Sequence, residues 1–193
     1  MRIEEEKKLV DRILKDDLNA FDELVIEYQR LVWHIVARMV SDPTDRQDLC
    51  QDIFLKIFKS LRTFHFRSKL STWVGRIAYH TSINYLQKKK LPSMSDVTID
   101  ESHYRVVAES DDIGPEEWTA RRDLSSIVEK MISKLTPIQK TLITLFHVEN
   151  MSYSEMSAVV ELPEGTIKSH LYRGRQRLKE MMKSLEREEI GYE

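Results

Sequence analysis

Between Phe21 and Met39 nine apolar residues, Phe21, Leu24, Val25, Tyr28, Leu31, Val32, Ile35, Val36 and Met39, recur so that each has others three or four positions away. That interval gathers side chains on one side of a helix and would scatter them over both faces of a strand, so the stretch must form a helix with one buried face. Ser41, Asp42 and Pro43 end it. A second helix opens near Thr44 or Asp45 and turns Leu49, Ile53, Ile57 and Leu61 inward. A third runs from about Ser71 to Lys88 with Val74, Ile77, Ala78, Thr81 and Tyr85 on its core side. Five glycines and five prolines punctuate 193 residues and no alternating strand pattern persists, so the fold class is all-α.

The stretch LPSMSDVTIDESHYRVVAESDDIGPEE, which begins at Leu91, has no sustained period and is rich in acids and serine. That is the composition of a tether. Helical spacing resumes near Trp118 and continues to Leu185. The expected organisation is a small helical domain over 1–90, a flexible acidic linker over 91–118, and a second helical domain over 119–193. The first apolar residues are interrupted by EEEKK and DRILKDD, and no run approaches the length that spans a bilayer. A cytoplasmic protein without membrane insertion is expected. Cys50 is the single cysteine and has no Cys or His neighbour at metal-ligand spacing. A reduced compartment, no metal and no cofactor follow, with Cys50 a small buried hydrophobe.

Net charge is only −2, but it is segregated along the chain. Arg62 to Lys90 carries +7 with no acid, Leu91 to Trp118 carries −7, and Glu164 to Lys183 carries +4. Two basic segments flanking an acidic one suggest separate electrostatic roles, with the negative segment able to screen the basic ones.

SYSEMSAVVELPEGTIKSHLYRGRQRL divides into a short helix capped by Ser152, a tight turn over Glu161 to Pro163, and a longer helix from Glu164 or Gly165. This is a helix-turn-helix. Met156, Val159, Ile167, Leu171 and Leu178 supply the packing face. Lys168, Ser169, Tyr172, Arg173 and Gln176 fall opposite, where a recognition helix meets a major groove, and Thr166 at the helix start is placed to touch phosphate.

FHFRSKLSTWVGRIAYHTSINYLQKKK interleaves aromatics with bases. Trp73, Arg76, His80, Asn84 and Gln87 or Lys88 line one side of its helix, and Phe64, Phe66, Arg67, Ser68 and Lys69 form the loop before it. Aromatic faces stack on unpaired bases while Lys and Arg follow the backbone, which makes this a candidate single-strand platform. Phe64, Phe66 and Trp73 taken singly also suit a core.

DLCQDIFLKIF, STWVGRIAYHTSINYL and MSYSEMSAVVELPEGTIKSHLYRGRQRL, in this order and spacing, resemble the extracytoplasmic-function (ECF) sigma factors of bacterial RNA polymerase, which keep only regions two and four. The resemblance spans Ala20 to Leu178. It implies a non-enzymatic factor that binds core polymerase, promoter DNA and an anti-sigma factor. It assigns Asp48, Gln51, Asp52 and Leu55 to polymerase docking, Phe64, Trp73 and His80 to the minus-10 element, and Lys168, Ser169, Tyr172 and Arg173 to the minus-35 element. Departures from the family pattern are His80 in place of Asn, Gly75 in place of an aromatic, Asn150 in place of Gly, and His170 in place of Arg. Two rivals come from other classes. Asp45, Asp48 and Asp52 have the spacing of metal carboxylates in a nuclease but lack a His partner motif, and a conventional helix-turn-helix regulator would act without polymerase.

Overall fold

The computed structural model describes residues 3–89 and 127–190, so the linker expected over 91–118 lies outside the described residues. The elements in chain order are α1 (Ile3–Leu14), α2 (Leu18–Met39), α3 (Pro43–Ser60), a 3-10 turn (Leu61–Thr63), α4 (Leu70–Lys89), a helical segment 127–133, α5 (Pro137–His147), α6 (Tyr153–Val160) and α7 (Glu164–Ile190). No strand occurs among the described residues. The all-α class and the helix-turn-helix are both observed.

Caps explain where the helices begin. Asp17 accepts from the Ala20 amide ahead of α2, and Asp42 accepts from Thr44 N at 2.8 Å and Asp45 N at 3.0 Å. With its cap at Asp42, α3 starts at Pro43, whose missing N–H costs nothing in the first turn. Thr136 with Gln139 and Ser152 with Glu155 form reciprocal capping boxes before α5 and α6. The acid run EEEKK lies within α1. Glu6 is buried there, with its carboxylate 3.4 Å from both Leu70 N and Tyr28 Oη, so it fastens α1 to the start of α4. Burial and the Glu6 charge push the Tyr28 hydroxyl pKa up.

The central helix is α2, with Leu24, Val32, Ile35 and Val36 at most 1% exposed. It packs on α1, α3 and α4, and also on α5. One continuous cluster of buried residues runs from Leu9 to Leu171. The sequence predicts a single buried stripe on α4, and Val74, Ala78 and Thr81 are indeed buried. Thr72, Gly75, Tyr79 and Ser82 form a second buried stripe about a third of a turn away. It exists because α6 lies across α4.

Candidate nucleic-acid and partner interfaces

α3 turns Leu49, Ile53 and Ile57 into the core, which leaves Asp48, Gln51, Asp52 and Leu55 exposed on its outer side. Phe58, one turn beyond Leu55, extends this surface at 40% exposure while its ring packs edge-on against Phe21 at 4.9 Å. The sequence pattern missed Phe58, although its i+3 spacing from Leu55 is the signal that finds it. Asp45 points elsewhere. Lys89 and the Tyr85 hydroxyl hold its carboxylate below the usual range, so it ties α3 to the end of α4. Among the described residues no three His, Cys, Asp or Glu side chains converge as a metal site would require. Burial pushes the Cys50 thiol up to about 11.

The loop between α3 and α4 is organised by aromatic packing. Phe64 is buried at 6% exposure, 4.7 Å from the Phe66 ring and 5.3 Å from that of Trp73, which is itself 9% exposed. Phe66 holds a left-handed backbone at φ 55, an uncommon conformation for a bulky side chain, and keeps its ring 38% exposed. Phe64, Arg67, Ser68, Trp73 and Arg76 converge, with Thr63, His65, Thr72 and Ala158, around one recess of about 440 Å³. Thr72 Oγ1 is buried there without a hydrogen-bond partner. Lys69 and His80 face acids of the second helical group instead, and Asn84 and Lys88 are exposed further along α4. Phe64 and Trp73 thus line a recess as buried rings, not as open stacking surfaces.

The helix-turn-helix is built by local chemistry. Glu161 adopts a left-handed conformation (φ 57, ψ 38) that ends α6, and the Ser157 hydroxyl donates to Leu162 O at 2.6 Å. Asn150 takes φ 53 in the preceding turn, a region that Asn tolerates well. Ile167 and Leu171 are buried, which directs Lys168, Ser169, Tyr172 and Arg173 outward around one shallow depression. Tyr172 is 64% exposed, Lys168 Nζ stands 5.3 Å from the Tyr153 ring centroid, and Thr166 is half-buried at the start of α7. His170 is buried on the inner side. A Cβ at Gly174 would meet Ile143 Cδ1 at 3.0 Å, so α7 crosses α5 as closely as a glycine permits.

The sigma-70 region 2 family matches residues 24–91, and the sigma-70 region 4 family matches residues 125–178. The RNA polymerase sigma-H factor of Pseudomonas aeruginosa is 32% identical over 188 residues, covering 96% of this chain and 97% of that protein. The ECF RNA polymerase sigma-E factor of Escherichia coli K12 is 33% identical over 171 residues, covering 87% and 89%. The fold resembles that of the sigma factor RpoE of Bartonella quintana, solved with the anti-sigma factor NepR, at a TM-score of 0.61 and 21% identity over 84% of this chain and 96% of that one. Among the described residues no helix is long and apolar enough to cross a membrane. Two family regions in this order, with relatives that span almost the whole chain, place this protein in the extracytoplasmic-function sigma factors, transcription initiation factors of bacterial RNA polymerase.

Proposed function

We propose that this chain docks on core RNA polymerase through the outer face of α3, captures the minus-10 strand at the recess below α4, and reads the minus-35 duplex with the start of α7. The observation that carries the reading is the convergence of Lys168, Ser169, Tyr172 and Arg173 on one exposed face directly after the left-handed turn at Glu161. Side chains there reach base edges or phosphates when the helix lies in a major groove. On α3 the exposed Asp48, Gln51, Asp52 and Leu55 combine acid, amide and apolar contacts suited to a protein partner, and Phe58 adds an apolar anchor. At α4, Arg67, Lys69, Arg76 and Lys88 supply charge for a backbone, while Ser68, Asn84 and His80 supply groups for base edges.

The domains proposed are 1–90 for polymerase and minus-10 contacts, 91–118 for the acidic connection, and 119–193 for the minus-35 element. An anti-sigma partner is proposed by analogy with the Bartonella protein. Run-off transcription with purified core enzyme tests the whole. Promoter-specific transcripts should require both core and this chain. Tight promoter binding by the chain alone, with no stimulation of core, would instead make it a conventional helix-turn-helix regulator.

A further inference from the structure

We propose that Phe146 and Tyr153, neither of which lies on the recognition helix, position two of its cations, and that the second of these, Arg175, is a further contact to the DNA backbone. This rests on the minus-35 role given to α7 above. Arg175 Cζ stands 4.9 Å from the centroid of the Phe146 ring, and Lys168 Nζ stands 5.3 Å from that of Tyr153. The two rings stack on each other, with centroids 5.5 Å apart and planes inclined by 30°. Cation, ring, ring and cation thus form one continuous row. Phe146 comes from the end of α5, Tyr153 from the first position of α6, and both cations from α7.

The row follows from local structure. Lys168 and Arg175 are seven positions apart, which is two turns and about 10 Å along one side of α7. Phe146 and Tyr153 are also seven apart, and the turn between α5 and α6 brings their rings together, with Asn150 at φ 53 and Met151 N donating to Leu145 O at 2.9 Å. Both rings pack against the buried core, which fixes their places. His147 meets the Phe146 ring edge-on at 4.9 Å, and partial burial together with Arg175 lowers its pKa, so at neutral pH it adds no competing charge. Both cations are exposed, and what orders each of them is a ring. A ring attracts a cation without neutralising it, whereas a carboxylate would occupy the donors that a guanine edge or a phosphate needs. A long side chain held beforehand also loses less freedom when it binds. Lys168 sits where a recognition helix meets base edges, and Arg175 sits two turns further along, where such a helix passes the backbone.

The test uses full-length protein in holoenzyme. Tyr153→Leu and Phe146→Leu keep apolar packing and remove a ring, Tyr153→Phe keeps the ring, and circular dichroism shows whether each folds. Loss of one ring contact should be roughly a two- to five-fold effect. In transcription from a promoter library, Tyr153→Leu should shift preference in the direction of Lys168→Ala by a smaller factor and add nothing when combined with it, while Tyr153→Phe should behave as wild type. Arg175→Gln should weaken binding to all minus-35 sequences alike and flatten the salt slope by about one unit, and Phe146→Leu should add nothing to that loss. Tyr153→Phe as defective as Tyr153→Leu would make the hydroxyl the contact and overturn the positioning role. Additive effects in either pair would make the rings packing residues only, and so overturn it too. In the free wild-type chain, NMR of the Lys168 methylenes should show an upfield ring-current shift. Absence of that shift overturns the row whatever the promoter data show. A shift that is present while Lys168→Ala is silent at every minus-35 position removes the groove reading of α7 and takes the positioning role with it.

Discussion

Gly75 and Val159, 84 positions apart in sequence, meet so closely that an added Cβ would stand 3.3 Å from Val159 Cγ2. Ile35 Cδ1 at 3.7 Å and Met151 Cε at 3.8 Å complete the niche. Val159 is fully buried and β-branched, so it yields little. Gly75→Leu should cost the packing of α6 on α4 about 1–3 kcal/mol by overpacking. The helix itself should gain about 1 kcal/mol, because glycine is the weaker helix former. The expected result is a larger radius of gyration with undiminished helicity. A Gly75→Leu protein that remains as compact as wild type would show that the niche is slack.

Lys140 on α5 is 7% exposed, and burial, with Arg38 and Arg46 nearby, lowers its ammonium pKa below that of an ordinary lysine. A charge held in such a place costs stability that a methionine of similar length does not. Lys140→Met should therefore raise the thermal midpoint, by about 1 kcal/mol or more in stability. A fall in the midpoint would mean that Lys140 makes a net favourable contact there.

The outward face of α3 and the helix-turn-helix were legible in the sequence because their causes are local. Leu49, Ile53 and Ile57 set the rotation of α3, and Ser152, Glu155 and Pro163 set the ends of α6 and α7. Asp42 was legible only as part of a breaker, and its cap moves the start of α3 one or two residues earlier than expected. The burial of Thr72 and Gly75 was not legible, since it depends on a helix that arrives from some 80 residues away. Glu6 was hidden for a related reason. An acid within EEEKK looks like solvated surface until the Leu70 amide is brought to it.

Acid should loosen the ion pairs that join the two helical groups, Arg38 with Glu129 and Lys69 with Glu155. Arg38 lowers the Glu129 carboxyl below its ordinary 4.5. Partial burial alone would raise Glu155, but Lys69 and the Ser152 cap outweigh it and leave that carboxyl lowered as well. A depressed carboxyl binds protons less readily when paired, so its contribution is complete above pH 4.5 and lost as pH falls through the paired value. Scattering between about pH 6 and pH 3 should show expansion. Glu129→Gln with Glu155→Gln, which keeps a residue suited to the capping box, should already be expanded and change less over that range. Equal pH dependence in the two proteins would assign the transition to other carboxyls.

Asp52 lies exposed on the outer face of α3, beside Leu55 and one turn from Asp48. Asp52→Lys reverses a charge there without touching Leu49, Ile53 or Ile57. Retention of core polymerase in a pull-down should fall several-fold, the scale of losing one pair and adding one repulsion. Helicity should be unchanged. Undiminished retention would move the docking surface off α3.

The recognition helix offers the finest test, because its four candidates should not behave alike. Ile167 and Leu171 anchor α7 from within, so alanine at Lys168, Ser169, Tyr172 or Arg173 alters the outer surface alone. If Lys168 or Arg173 pairs with a guanine edge, its replacement costs roughly 1–3 kcal/mol and relaxes preference at one base pair. A phosphate contact by either cation weakens all sequences alike and flattens the salt slope by about one unit, whereas losing the neutral Thr166 hydroxyl from a phosphate weakens all sequences alike and leaves the slope unchanged. Transcription from a promoter library by each holoenzyme separates the two patterns. Variants in α7 that shift minus-10 preference and leave minus-35 preference intact would show that the two DNA elements are assigned to the wrong helices.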